Sequence, residues 1–200
     1  RIRFSLAHEL GHWNHHRGRA FVCRPEDIGN RTRDSLHPER VADAFAADLL
    51  LPDFMFVPMA GQLRRVSLDE AQRLADVFEV SFTATAIRLV EKGPEPAILV
   101  CHTRQGRKWF TRSPAVPGRW FPRADLDPDS FAFDAVFGEV PRSRLGLMGA
   151  DAWFDRHDAA RFEVLEQSVR VADGEALSLI VFKDEEMLED DGAGRRVARR

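Results

Sequence analysis

The chain has little sulfur, no long apolar run and no excess of either charge. Its two cysteines, Cys23 and Cys101, exclude a disulfide framework and point to reduced thiols in a cytoplasmic setting. No apolar stretch reaches the roughly 18 residues of a membrane span, so no membrane partner is expected. Twenty-nine Lys and Arg stand against 32 Asp and Glu, a formal net charge of −3 in 200 residues, which excludes a strongly basic nucleic-acid coat. With 44% hydrophobic and 30% charged residues, wholesale disorder is excluded as well. There is no signal-peptide pattern, internal repeat or low-complexity tract. The first residue is Arg1 rather than Met. What is present in excess is local: of seven histidines, five fall within residues 8–37.

The patterning predicts helices first and strands after. Residues 1–17 are helix-compatible, with Leu6, Leu10 and Trp13 at helical spacing as the expected core face. Residues 18–37 read as an irregular connection, long enough to suggest a functional or mobile segment. A helix is expected over 39–51, started by Pro38, ended by Pro52 and carrying Val41, Phe45 and Leu49 as its stripe. Ser67 and Glu70 form a capping-box signature for a helix to about Glu79. Ser81 caps a second helix ending near Gly93, and the pair has the outline of a helix-turn-helix. Beyond Pro94, residues 96–102 read as a buried strand, followed by a strand with Trp109 and Phe110. Residues 113–130 read as loop. Residues 162–171 and 175–183 are strands joined by the hairpin signal Asp173-Gly174. Trp109, Trp120 and Trp153 are expected in a packed core rather than around a ligand pocket. The tail, 184–200, is expected to be disordered.

Chemistry concentrates in His8-Glu9-Leu10-Gly11-His12, which fits H-E-x-x-H. On a helix, residues four apart lie about 40° apart around the axis, so His8 and His12 share a face and suit one Zn²⁺ ion. Glu9 borders that face and is the expected general base and proton donor. Five residues alone equally fit an amphipathic helix with a polar surface. A catalytic zinc needs a third protein ligand and one open position. Glu39 can supply the ligand, and Asp43, one turn on, can accept the N–H of a ligating imidazole. Read singly, Glu39 is also a favourable acid at a helix start and Asp43 a solvated residue; the combination favours a site. His15, His16 and His37 are selected by no spacing rule and are read as bystanders. Cys23 is read as an idle thiol, and His102 and His157 as ordinary histidines. Metal availability leaves Mn²⁺ or another divalent ion open.

Arg3-Phe4-Ser5-Leu6-Ala7-His8-Glu9-Leu10-Gly11-His12, followed by Glu39-Arg40-Val41-Ala42-Asp43-Ala44-Phe45-Ala46-Ala47-Asp48-Leu49-Leu50-Leu51-Pro52, resembles the ImmA/IrrE family of metallo-endopeptidases (peptidase family M78). The resemblance is strong over residues 1–56, weaker over 57–93 and faint beyond 94. Val41 replaces an often acidic residue of the family, which makes Glu39 the clearer ligand. The resemblance implies an α+β fold. A zincin-like core would occupy 1–66, a helix-turn-helix-like unit 67–93, and a β-rich, GAF-like domain 94–183. It implies zinc held by His8, His12 and Glu39, catalysis by Glu9, and cleavage of a helix-turn-helix transcriptional repressor in a bacterial stress or mobile-element response. The family's N-terminal sheet has no counterpart ahead of the motif helix, so the chain is expected to be part of a longer enzyme.

The alternative is a metal-containing regulatory or toxin–antitoxin module that binds a repressor or DNA without cutting. Arg73 and Arg88 make only a thin basic set for DNA, the helix from Phe82 is mostly apolar, and no fourth protein ligand closes a structural zinc site.

Overall fold

The computed structural model describes residues 2–17 and 38–189. Cys23, His37 and the expected connection at 18–37 lie outside the described residues. The described chain is α+β: six α-helices and one five-stranded sheet. Helix α1 spans Ile2–His15, α2 Pro38–Leu50, α3 Asp53–Gly61, α4 Leu68–Phe78 and α5 Phe82–Lys92. Strands β1 (Ala97–Thr103) and β2 (Gly106–Arg112) follow, then α6 (Phe131–Phe137), β3 (Gly146–Gly149), β4 (Glu163–Ala172) and β5 (Glu175–Phe182). The order across the sheet is β2-β1-β5-β4-β3, antiparallel throughout.

Local chemistry sets several boundaries. Ser67 accepts the Glu70 amide at 3.1 Å and starts α4; Ser81 accepts the Ala84 amide at 3.2 Å and starts α5. The β4–β5 hairpin turns on Asp173-Gly174, where Gly174 has φ +62°, the left-handed conformation such a two-residue turn requires.

The period of two along each central strand sends alternate side chains to opposite cores. Leu99, Cys101, Leu177, Leu179 and Val181 pack with Phe56, Leu68, Leu74 and Leu89 from α3–α5. Ile98, Val100, Ile180 and Phe182 pack with Trp120, Trp153, Phe154 and Phe162 on the other face. The sheet therefore lies between the helices α3–α5 and an outer layer of α6 and aromatic loop residues. Gln167 of β4 accepts the Leu68 amide at 2.7 Å and donates to Asp69 at 2.8 Å, pinning the start of α4 to the sheet.

Three expectations are corrected. Leu6, Leu10 and Trp13 are 66%, 43% and 60% exposed, so they do not face a core. In α2, Leu49 is exposed and Val41 and Phe45 are half-buried, while Ala42 and Ala46 are fully buried. In both helices the contact runs along small and polar residues, which carry little hydropathy and leave no apolar stripe to read. In the stretch expected as a tail, Glu185–Met187 forms one 3₁₀ turn whose Met187 side chain is fully buried in the aromatic cluster, while its carbonyl accepts the Trp120 indole N–H. Residues 190–200 lie outside the described residues.

No single described helix is long and apolar enough to cross a membrane; α2 and α3 reach that length only as a pair bent by 63°.

Candidate metal centre

Helix α1 buries Ala7, His8, Gly11 and His12, and α2 buries Glu39, Ala42 and Ala46. A Cβ on Gly11 would stand 2.9 Å from Ala42 Cα and 3.2 Å from the Phe45 ring, so any larger residue there pushes the two helices apart. Gly11 and Ala42 together let α2 approach the histidine face of α1. Pro38 and Glu39 occupy the first turn of α2, where a fixed φ and a negative charge both suit a helix start. Arg3 fastens α1 to the end of α4: its guanidinium donates to the Phe78 carbonyl at 3.2 Å and to the Glu79 carbonyl at 3.1 Å.

At this crossing three side chains converge. His8 Nε2 lies 3.0 Å from His12 Nε2 and 3.2 Å from Glu39 Oε2; His12 Nε2 lies 3.5 Å from Glu39 Oε1. One ligand atom from each residue falls within 4.8 Å of the others. Tetrahedral zinc with bonds of 2.0–2.1 Å spaces its ligand atoms about 3.3 Å apart. The observed 3.0–3.5 Å separations match that figure. Two imidazole nitrogens and a carboxylate are also the donor set that borderline divalent cations prefer. The residues thus fit a divalent metal with three protein ligands.

His8 is fully buried, and its Nδ1 donates to Asp43 Oδ1 at 2.9 Å, which turns Nε2 toward Glu39. Glu9 is exposed at the edge of the histidine face. His15 is exposed and packs edge-on against Phe45 with ring centroids 5.5 Å apart. His16 is half-buried and reaches His12, a contact that the spacing of the histidines does not single out. Gly11 matters as well: it is the small residue between His8 and His12 that lets α2 come close.

The remaining candidates lie elsewhere. His102 is buried on β1, with burial in the sheet pulling its pKa down to about 4 against weaker support from a backbone bond to Arg123. Cys101 is a buried thiol pushed up to about 12 by burial and by the Glu175 carboxylate it donates to. Arg88 is buried, with Nη2 2.7 Å from both Asp48 and Asp53. A surface cleft of about 520 Å³ between α3 and α4, lined by Leu63, Arg73 and Val77 among others, includes none of the converging residues.

Residues 1–90 match the model of the peptidase M78 family described as the IrrE N-terminal-like domain. A solved structure of a Mycobacterium tuberculosis transcriptional regulator aligns with 88% of this chain at a TM-score of 0.51 and 16% identity. That similarity is one of fold. The chain spans about half of that structure, 54% of its length. No curated protein matches the chain.

Proposed function

We propose that the chain carries the metal centre of a zinc-dependent endopeptidase, a reading supported by the match of residues 1–90 to the M78 family's IrrE N-terminal-like domain. The single observation that carries this reading is the convergence of His8, His12 and Glu39 at spacings suited to one tetrahedral ion. Zinc bound there supplies Lewis-acid polarisation of a peptide carbonyl. The chain's own residues do the rest. His8 and His12 turn Nε2 lone pairs to the centre, and Asp43 holds the His8 tautomer by taking its Nδ1–H. Glu9, one residue beyond His8 and exposed, takes the proton of an attacking water and returns it to the leaving amine.

The same reading assigns a zincin-like core to the helical half and a GAF-like, sensory role to residues 94–183. The substrate in this reading is a helix-turn-helix transcriptional repressor in a cytoplasmic, bacterial stress or mobile-element response, supported by the family assignment. The alternative of a non-cutting DNA-binding module has less support, since Arg88, one of the few cations of the α4–α5 unit, is committed to Asp48 and Asp53.

Incubating the zinc-loaded protein with a candidate repressor, with and without a chelator, tests the reading. Cleavage is expected only without chelator. Glu9→Gln should keep its zinc and lose cleavage, whereas His8→Ala and Glu39→Ala should lose the metal itself. A Glu9→Gln variant that cut at the parental rate would overturn the mechanism.

A further inference from the structure

Asp43 backs one of the two converging imidazoles. The other imidazole has a partner of its own. His12 presents Nε2 to the centre, 3.0 Å from His8 Nε2, so its Nδ1 faces the opposite way. That atom lies 3.3 Å from Nδ1 of His16, one helical turn on. The two rings have centroids 5.3 Å apart and planes tilted by 47°, an arrangement that points one ring nitrogen at the other rather than stacking the rings. His16 is half-buried, and it is not among the residues whose ligand atoms converge.

We propose that His16 is a positioning residue for the metal centre. In this arrangement His16 Nδ1 accepts the Nδ1–H of His12, which leaves the His12 Nε2 lone pair toward the centre. An imidazole offers a metal only the nitrogen that lacks the proton, and the partner of the other nitrogen decides which one that is. Asp43 decides it for His8; His16 decides it for His12. The two partners reach the centre from different elements, Asp43 from α2 and His16 from the turn that follows α1. The His16 contact is the weaker, since it is longer than the 2.9 Å bond to Asp43 and its acceptor is a ring nitrogen rather than a carboxylate. This inference rests on the reading of His8, His12 and Glu39 as metal ligands.

Zinc affinity measured by competition with a chromophoric chelator tests it in the parent, His8→Ala, His16→Ala and His16→Asn. Nitrogen-15 spectra of the imidazoles in the zinc-loaded forms accompany the titrations. His16→Ala should bind zinc roughly ten-fold more weakly, the lower end of the range for such partners. It should also lose the protected His12 Nδ1–H signal. His16→Asn, whose amide oxygen can take the place of Nδ1, should restore most of both. Parental affinity in His16→Ala overturns the inference while leaving the metal reading intact. So does an equal loss in His16→Ala and His16→Asn, or a His12 Nδ1–H signal unchanged by either. A parent that holds no zinc, or a His8→Ala variant that holds it as tightly, overturns the metal reading and this inference with it.

Discussion

The α1–α2 pair and the sheet bury their side chains in opposite ways. Where the two helices meet, the contact is made of Gly11, Ala42, Ala46 and the polar trio His8, His12 and Glu39, while Ile2, Leu6, Leu10 and Trp13 stay exposed on α1. The sheet instead fills both its faces with large residues, leucines and Phe56 on one side and Trp120, Trp153 and Phe154 on the other. The difference separates two tasks. Small residues bring backbones close enough for short side chains to share one ion, and large ones remove apolar area from water. Stability is therefore concentrated in the sheet and its helices α3–α5, while the candidate metal centre lies in a contact that buries little.

The sharpest way to break that division is Trp120→Ala. Trp120 is 1% exposed, stacks edge-on with Phe154 and Phe162, and donates its indole N–H to Met187. Its truncation should cost about 3–5 kcal/mol in urea unfolding. Zinc stoichiometry under native conditions should stay at the parental value, because none of the described residues buried in the α1–α2 contact belongs to this core. A variant that lost zinc while still folded would show that the two regions are not separate.

Acid should strike the sheet next. His102 is fully enclosed on β1 against Trp153, with ring centroids 5.7 Å apart, and its pKa falls from 6.5 to about 4 mainly through burial. Above pH 6.5 both folded and unfolded chains hold it neutral, so it contributes no pH dependence there. As pH falls from 6.5 toward 4 the unfolded chain takes up a proton that the folded chain refuses, and stability drops by about 3 kcal/mol over that window. Urea midpoints across the window should fall in the parent. They should fall less in His102→Gln, which has no group to protonate.

The two regions also differ in how plainly the sequence announces them. His8 and His12 need only one helix to share a face, with Glu9 at its edge, and the Ser67 cap and the Asp173-Gly174 turn are settled within a few residues. Such features are readable because their physics is local. Which face of α1 is covered is not local. Hydrophobic periodicity selects Leu6, Leu10 and Trp13, yet what covers α1 is α2, and α2 can approach only where both chains are small. Helix α6 is seven residues long, too short for a period to show, and it is fixed from a distance. The buried Glu166 carboxylate on β4 accepts the Ala132 amide at 2.7 Å, the Ser168 hydroxyl at 2.8 Å and the Trp153 indole N–H at 3.0 Å. Glu166 and Ser168 share a face of β4, but no spacing rule relates them to Ala132 or Trp153, because loop packing brings those in. His16 is intermediate: its four-residue distance from His12 is visible, but nothing in the spacing says which nitrogen it meets.

Gly11→Ala carries the comparison into the helix pair itself. The added methyl meets the Ala42 backbone, which cannot turn aside as a flexible side chain can. Overpacking of this kind costs about 1–3 kcal/mol. The more telling readout is zinc affinity, which should fall because a small retreat of α2 carries Glu39 away from His8 and His12. Alanine is a better helix former than glycine, so helicity by circular dichroism should hold or rise while metal binding drops.

The smallest effect should come from the most conspicuous residues. Leu6→Gln replaces a large apolar side chain with a polar one of similar helix propensity at a position 66% exposed. In a conventional amphipathic helix the same change would remove a core contact and cost several kcal/mol. Here it should shift the unfolding free energy by no more than about 0.5 kcal/mol, as surface substitutions do. Zinc affinity should be unchanged, since Leu6 lies on the side of α1 away from Glu39. A loss of several kcal/mol would mean that Leu6 is covered in the folded protein, and the face of α1 opposite His8 would then have to be counted with the sheet, among the surfaces that hold the molecule together.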